Sequence, residues 1–263
     1  MSFFKKNILS IFGKNYPFHR IDFIIAGTQK GGTTALDEYF RKHQNICMAE
    51  KKEVHFFDED RYFDNHITNY SKYHKYFNPN DHSQVIGEAT PIYMYWNKAI
   101  ERIHVYNSQI KLIIILRNPI ERAFSHWNME RDKGRESRTF LQAIIDEDSK
   151  INSLNHFQNK TFSYLDRGYY SKQIKNIYNY FNKNQLLILR NEDLRQDPDN
   201  ILVDIAKFLS IPPFNPIDHK EINSRSYPFK MSKEELSFLK NFYQEEFNSL
   251  ENILKWDLSS WRK

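Results

Sequence analysis

Residues 23–40, FIIAGTQKGGTTALDEYF, join an apolar run to a loop with three glycines and then to an amphipathic segment. The apolar run of 21–26 is typical of a strand that is covered on both faces, while Leu36, Tyr39 and Phe40 share one face of a helix. A glycine loop between a strand and a helix aims backbone N–H groups at one point, where the helix dipole adds positive potential. The segment therefore predicts an α/β protein with an anion-binding loop.

The loop differs from the ATP-binding pattern G-x-x-x-x-G-K-[S/T] in the place of its lysine. Gly27, Gly32 and Thr34 have that spacing, but Thr33 follows the second glycine and Lys30 lies inside the loop. An ordinary glycine-containing turn between a strand and a helix is the alternative interpretation. By residue type, the loop residues predicted to bind the anion are Lys30, Gly31, Gly32, Thr33 and Thr34.

Three later apolar segments, at 84–87, 111–116 and 185–189, are also predicted to be strands, and helical patterns follow the last two. After the second of them, Asn118 can cap a helix whose first position suits Pro119. Strands that alternate with helices favour a parallel sheet with right-handed crossovers.

Two predictions concern the rest of the chain. The last long helix is expected to open at Ser232, where Glu235 completes a capping box, and to run through Tyr243 to Leu250. The segment RDKGRESR at 131–138 is expected to be a solvated, charged turn.

Arg117 follows the apolar run of 111–116, so it lies at a strand end of the predicted sheet, as Gly27 does. In parallel sheets, ligands bind beyond these carboxyl ends. An ATPase needs an aspartate there to help hold Mg²⁺, whereas an arginine suits a phosphate that carries no metal. Ser125, eight residues on, could add a hydroxyl contact. The alternative for Arg117 is a surface salt bridge with Glu121.

Charge and cysteine content restrict the class of protein. The net charge of +5 suits an anionic ligand but is too small to indicate nucleic acid. The single cysteine, Cys47, excludes an internal disulfide and argues against structural zinc. The apolar run at 7–12 is far shorter than the ~20 residues of a membrane span. We expect an N-terminal extension at 1–20 and a single domain at 21–263.

Four motifs occur in order along the chain: GTQKGGTTAL, EVHFFD at 53–58, GEATPIYM at 87–94 and LIIILRNPIERAFSHW at 112–127. Together they resemble the glycan sulfotransferases, especially heparan sulfate 3-O-sulfotransferases, the sulfotransferase domain of N-deacetylase/N-sulfotransferases, and bacterial relatives. The resemblance implies a P-loop-like three-layer fold, in which helices flank a central parallel sheet. It also implies that 3′-phosphoadenosine-5′-phosphosulfate (PAPS) donates a sulfuryl group to a hydroxyl, less often an amine, of a carbohydrate, without a metal.

The resemblance also implies roles for single residues. The loop from Gln29 to Thr34 would hold the 5′-phosphosulfate, with Lys30 near the oxygen that bridges phosphorus and sulfur. Arg117 and Ser125 match the residues that hold the 3′-phosphate. Glu53 matches the general base, and His55 and Asp58 match its companions at the acceptor site. By residue type alone, these three would be a solvated charge, a core or cleft histidine and a turn cap.

The chain departs from the family at three places. Ala89 stands where the animal heparan enzymes have a lysine, and Gln173 stands where the N-sulfotransferases have an acceptor-side histidine. In NSRSYP at 223–228, Arg225 is kept but Ser224 replaces a glycine. We expect this late loop to contact the 3′-phosphate or ribose. The change at Gln173 argues against simple transfer of N-sulfation activity.

Other functions stay open at this stage. One is a P-loop kinase with a displaced lysine, and another is a non-catalytic nucleotide or polyanion binder of the same fold. The segments 58–80 and 128–165 are expected to shape the acceptor cleft. We further expect a cytoplasmic bacterial enzyme without nucleic-acid partners or stable membrane insertion, and the sequence does not indicate an oligomeric state.

Overall fold

The core of the protein is a sheet of five parallel strands in the spatial order β2-β3-β1-β4-β5. The structure is a computed structural model, which describes residues 20–64, 67–80, 84–151, 158–215 and 227–263. The strands are β1 (Phe23–Gly27), β2 (Ile46–Met48), β3 (Val85–Ala89), β4 (Lys111–Leu116) and β5 (Leu186–Arg190). The central strand, β1, therefore has β3 and β4 as neighbours, and their carboxyl ends lie at one edge.

Ten α-helices surround this sheet in the described part of the chain. They are α1 (Thr33–Arg41), α2 (Ser71–His74), α3 (Asn97–Tyr106), α4 (Pro119–Asp132), α5 (Phe140–Ile151), α6 (Tyr170–Tyr178), α7 (Asn191–Gln196), α8 (Pro198–Leu209), α9 (Lys233–Phe242) and α10 (Gln244–Leu254). As predicted, Pro119 is the first residue of α4, and the Asn118 side chain accepts a hydrogen bond from the backbone N–H of Ile120.

Residues of β4 alternate between two cores, because neighbouring side chains of a strand point to opposite faces. Leu112, Ile114 and Leu116 pack with α3, α4 and α6, whereas Ile113 and Ile115 pack with α1 and α8. All five are fully buried. Helices thus cover both faces of the sheet, which confirms the predicted three-layer α/β fold with a central parallel sheet.

Apart from shifts of one or two residues at strand ends, two elements differ from the sequence prediction. The strand β2 was not predicted, because three residues are too few to show a pattern. The predicted last helix is in fact two, since α9 ends at Phe242 and α10 begins at Gln244. Between them, Tyr243 is fully buried, and its hydroxyl donates to the carbonyl oxygen of Leu165 at 2.7 Å. Its ring also contacts the backbone at Gly168, where a Cβ would lie 2.3 Å from the tyrosine oxygen.

The 131–138 segment is mostly exposed, as predicted for a solvated, charged turn, but Glu136 is an exception. The carboxylate of Glu136 is buried, and it accepts hydrogen bonds from Arg138 at 2.6 Å and from the Tyr164 hydroxyl at 2.9 Å. The hydrogen bonds to this carboxylate offset the cost of its burial.

Candidate active site at the carboxyl ends of β1, β3 and β4

The loop after β1 is folded tightly against the end of β4. The Thr28 N–H donates to the carbonyl oxygen of Ile115 at 3.1 Å, and the Gly31 N–H donates to the carbonyl oxygen of Thr28 at 2.8 Å. At the start of α7, directly after β5, the Asn191 side chain donates to the carbonyl oxygen of Gly31 at 2.7 Å. A Cβ at Gly31 would lie 2.4 Å from the Ile115 oxygen, so this close approach requires glycine.

The loop enters α1 with the geometry of an anion site. Gly32 has a φ of 112° and no side chain that could cap the helix. The N–H groups of Thr33 and Thr34 belong to the first turn, where no intrahelical acceptor exists. No acidic residue lies in that turn. The helix start therefore offers backbone donors and positive potential to a phosphate or sulfate group.

Arg117 lies next to this loop. It also forms the salt bridge with Glu121 that was the alternative to phosphate binding. Its Nη1 lies 3.5 Å from the carbonyl oxygen of Lys30, which brings the end of β4 to the loop. Its Nε and Nη2 donate to one oxygen of Glu121 at 3.0 and 2.8 Å. The Tyr170 hydroxyl holds the backbone by donating to the Arg117 carbonyl oxygen at 2.9 Å. The side chain is one-fifth exposed, so an anion can reach it.

Ser125 lies on α4, where its buried hydroxyl is 2.5 Å from the hydroxyl of Tyr227. Tyr227 follows Arg225 by two residues in the sequence. The two predicted binding residues of the late loop, Ser224 and Arg225, lie outside the described residues.

On the other side of β1, three side chains of the EVHFFD motif form a hydrogen-bonded chain. The Nε2 of His55 lies 3.5 Å from Oε2 of Glu53, and its Nδ1 lies 3.1 Å from Oδ2 of Asp58. The Nζ of Lys52 lies 3.1 Å from the other Glu53 oxygen. Glu53 and His55 are about 40% exposed, whereas Asp58 is buried. The structure thus brings together the three predicted acceptor-side residues.

These contacts shift the pKa of each group in the direction that favours charge. The hydrogen bond from His55 lowers the pKa of Glu53 to about 2, against the opposing effect of burial. Hydrogen bonds to Asp58 and then Glu53 raise the pKa of His55 to about 9. Burial acts to raise the pKa of Asp58, but His55 and Lys160 outweigh it and the pKa lies below its usual value. At neutral pH, Glu53 is therefore a carboxylate, His55 an imidazolium and Asp58 a carboxylate.

The backbone of this segment is held in an uncommon conformation. Glu53 and His55 have φ values of 59° and 56°, in a region that costs about 1–2 kcal/mol for residues with a Cβ. The Glu53 N–H donates to the carbonyl oxygen of Ala89 at 3.0 Å, which ties it to the end of β3. The Tyr93 hydroxyl accepts from the Phe56 N–H at 2.9 Å. These bonds hold the backbone on either side of His55.

Glu88, in β3, supports the same segment and was not singled out from the sequence. Its buried carboxylate accepts hydrogen bonds from the hydroxyls of Tyr73 and Thr90, each at 2.6 Å, and of Tyr93 at 3.3 Å. Burial raises the pKa of Glu88 to about 7, although these donors oppose the shift. Nothing in the sequence indicates that Glu88 is buried, because only the fold shows its surroundings.

Lys160 and Arg167 also lie at the site without having been predicted. The Nζ of Lys160 is 3.1 Å from Oδ2 of Asp58 and 3.0 Å from Oε1 of Glu59. The Nη1 of Arg167 donates to Oε1 of Gln29, in the loop, at 2.7 Å. For Lys160, the only signal was its place in the segment expected to shape the acceptor cleft.

Two positions that differ from the family have ordinary structural roles here. Ala89 is buried, and its carbonyl oxygen accepts from Glu53 as described above. Gln173 is buried too, and its amide donates to the carbonyl oxygens of Arg167 and Tyr169 at 3.1 and 3.0 Å. The side chain of Gln173 is therefore engaged with the backbone around Arg167.

Across the described ranges, no group of three or more His, Cys, Asp or Glu side chains is arranged to hold a metal ion. In the same part of the chain, every helix is too short or too polar to cross a membrane.

The family model described as "Sulfotransferase domain" matches residues 20–258. The chain belongs to this family. This confirms the predicted family and, at the level of the family, the prediction of a sulfotransferase enzyme.

Individual relatives support the same conclusion. A heparan sulfate glucosamine 3-O-sulfotransferase 5 from Mus musculus is 32% identical over 72% of this chain and 53% of that protein. A membrane-associated sulfotransferase, kil1, from Dictyostelium discoideum is 25% identical over 90% of this chain and 65% of that protein. A bifunctional heparan sulfate N-deacetylase/N-sulfotransferase from Drosophila melanogaster is 28% identical over 73% of this chain and 20% of that protein. The chain thus spans between a fifth and two thirds of these relatives' lengths.

The fold has a counterpart among solved structures. A sulfotransferase from Alicyclobacillus acidocaldarius superposes with a TM-score of 0.79 at 26% identity, covering 94% of this sulfotransferase-family chain and all of the other. The similarity therefore extends over nearly the whole chain, including the strands that position the candidate site.

Proposed function

We propose that this protein transfers a sulfuryl group from PAPS to a hydroxyl of a carbohydrate or glycan-like acceptor. The observation that carries the proposal is the placement of two partial sites on neighbouring strand ends. The anion-binding loop follows β1, and the chain of Glu53, His55 and Asp58 is tied to the end of β3. One site suits a sulfated nucleotide, and the other suits removal of a proton from an acceptor.

The loop fits the 5′-phosphosulfate of such a donor. Backbone donors of Thr33 and Thr34 would bind its oxygens together with Gln29 and Gly32, while Gly31 shapes the loop through its bond to Thr28. Lys30 would stabilise the charge on the leaving oxygen. At the end of β4, Arg117 would bind the 3′-phosphate, because a charge-assisted bond to phosphate is stronger than its exposed pair with Glu121. Ser125, Ser224 and Arg225 complete the proposed 3′-phosphate site.

In the transfer step, the acceptor oxygen attacks sulfur in line with the bond to the bridging oxygen. The new S–O bond forms as the old one breaks, the acceptor proton passes to Glu53, and adenosine 3′,5′-bisphosphate leaves. A pKa of about 2 keeps Glu53 ionised, though it makes the free carboxylate a weak base. An acceptor bound against it, in place of Lys52 or water, would raise this pKa toward a useful range. His55 and Asp58 hold the carboxylate in place.

Support for a carbohydrate acceptor comes from the relatives, whose names specify heparan sulfate. We propose a hydroxyl rather than an amine, since the amide of Gln173 is bonded to the backbone. A cytoplasmic location, the absence of nucleic-acid partners and the division at residue 20 stay predictions.

Calorimetry tests the donor. We expect adenosine 3′,5′-bisphosphate to bind in the presence of EDTA, and adenosine 5′-monophosphate to bind much more weakly. Arg117→Ala should remove this preference by lowering bisphosphate affinity on the order of 10- to 100-fold. Binding of Mg-ATP with no binding of the bisphosphate would support a kinase and overturn the proposal.

Transfer of ³⁵S from labelled PAPS to a panel of desulfated glycans tests the reaction. The proposal expects label in at least one glycan with the wild-type protein and its loss with Glu53→Gln. Bisphosphate binding without transfer to any glycan would favour a non-catalytic binder.

A further inference from the structure

Arg167 is a buried cation at the boundary between the two partial sites. It is 1% exposed, and its three hydrogen bonds go to neutral oxygens. They are Oε1 of Gln29, Oγ of Ser163 and the carbonyl oxygen of Lys160, each at 2.7 Å. Burial lowers the pKa of Arg167 to about 10, so the group stays charged at neutral pH. A buried charge is costly unless its hydrogen bonds are well made.

The contact with Gln29 fixes the direction of that amide. Arginine has five N–H donors and no acceptor, so only the oxygen of Gln29 can face it. The amide nitrogen of Gln29, with two donors, is consequently directed away from Arg167. Gln29 lies within the anion-binding loop, between Thr28 and Lys30, and is partly exposed.

The contact with Lys160 connects the same guanidinium to the acceptor side. Arg167 binds the backbone of Lys160, and the ammonium of Lys160 binds Asp58 and Glu59. A cation–π contact, in which the guanidinium carbon lies 4.8 Å from the ring centre of Tyr95, further restricts Arg167. One side chain therefore touches both the donor loop and the segment that holds Asp58.

We propose that Arg167 is a positioning residue for the transfer reaction, which turns the Gln29 amide nitrogen toward the 5′-phosphosulfate and holds Lys160 at Asp58. This inference rests on the proposed function, because it assumes that the loop binds the phosphosulfate end of the donor. A purely structural role, in which Arg167 only stabilises residues 160–168, makes different predictions for ligand binding.

A double-mutant cycle distinguishes the two roles. Wild type, Arg167→Lys, Gln29→Ala and the double variant are titrated calorimetrically with adenosine 3′,5′-bisphosphate and with adenosine 3′-monophosphate. We expect Arg167→Lys to weaken bisphosphate binding about tenfold, as for loss of a hydrogen bond to a charged group. Binding of the 3′-monophosphate, which has no group for the loop, should not change. In the Gln29→Ala background, Arg167→Lys should have less than about a twofold effect.

Two further variants keep the test independent of stability. Ser163→Ala removes another bond of Arg167 but leaves Gln29 in place, so it should lower the Tm without changing either affinity. Gln29→Glu keeps an oxygen for Arg167 and replaces the amide nitrogen, so it should fold at least as stably as wild type yet bind the bisphosphate more weakly than Gln29→Ala. It remains informative even if Arg167→Lys does not fold.

Additive effects of Arg167→Lys and Gln29→Ala, or wild-type affinity in Gln29→Glu, would overturn the inference while leaving the proposed function intact. Wild-type protein that binds no bisphosphate would overturn the proposed function itself.

Discussion

The guanidinium of Arg117 donates two hydrogen bonds, from Nε and Nη2, to a single carboxylate oxygen of Glu121 at 3.0 and 2.8 Å. A 3′-phosphate that binds Arg117 must compete with this carboxylate. Glu121 is half-exposed, and exposed pairs of this kind contribute at most about 1 kcal/mol.

We therefore expect Glu121→Gln to tighten the binding of adenosine 3′,5′-bisphosphate about two- to fivefold, measured by calorimetry at low salt. Adenosine 5′-monophosphate, which lacks the competing phosphate, serves as the control ligand and should bind as it does to wild type. Equal tightening of both nucleotides would mean that Arg117 does not recognise the 3′-phosphate.

Glu53→Gln should lower the transfer rate on the order of 10²-fold or more, because the general base is lost, while bisphosphate affinity stays nearly unchanged. Glu50→Gln is a matched control, since Glu50 is an exposed carboxylate three residues earlier in the chain. Rates from labelled PAPS and affinities from calorimetry separate the two effects. Turnover equal to wild type in Glu53→Gln would remove this residue from the mechanism.

His55→Gln should change how stability depends on pH. The pKa of His55 is raised to about 9 in the folded protein, so its contribution is complete below its unfolded value near 6.5 and is lost as pH rises toward 9. The stability difference between wild type and His55→Gln should thus be largest near pH 6 and shrink by pH 9. Because His55 and Glu53 are about 40% exposed, it should not exceed about 1 kcal/mol.

Urea unfolding at pH 6, 7.5 and 9 measures this difference. A difference that is constant over the range would show that His55 is not an imidazolium in the folded protein.

The stability of the Glu88→Gln variant, relative to that of wild type, should increase as pH rises. The folded-state pKa of Glu88 is raised from 4.5 to about 7, so the stability associated with its proton is present below 4.5 and is lost as pH rises through 7. A glutamine carries no charge at any pH. From pH 4.5 to pH 8, the free energy of unfolding of the variant, measured in urea, should rise relative to that of wild type by up to about 3 kcal/mol. A loss over this range would contradict burial of a protonated Glu88.

The parts of the site that the sequence predicted are those fixed by local patterns. Gly27 and Arg117 were expected at strand ends because apolar runs precede them, and both lie there. The loop from Gln29 to Thr34 follows from its glycines, and the start of α4 follows from Asn118. These features depend on neighbouring residues in the chain, so periodicity and capping rules apply to them.

The parts that the sequence did not predict depend on contacts between distant segments. Arg167 meets Gln29 across 138 positions in the sequence, and Lys160 meets Asp58 across 102. An arginine in a polar stretch is expected to be exposed, and only the fold, in which residues 166–168 pack against α4, shows that Arg167 is buried. The separation of α9 from α10 likewise follows from the buried position of Tyr243.

The close contact between Gly168 and Tyr243 limits which sequences this fold can accept. Because a methyl group at 168 would overlap the tyrosine ring, these two positions should vary together in a combinatorial library, with Gly168→Ala recovered only beside a smaller residue at 243. Such a pair would also free the carbonyl oxygen of Leu165, close to Arg167 in the chain. Selection at a position between the two carboxyl-terminal helices would then act on the geometry of the candidate site.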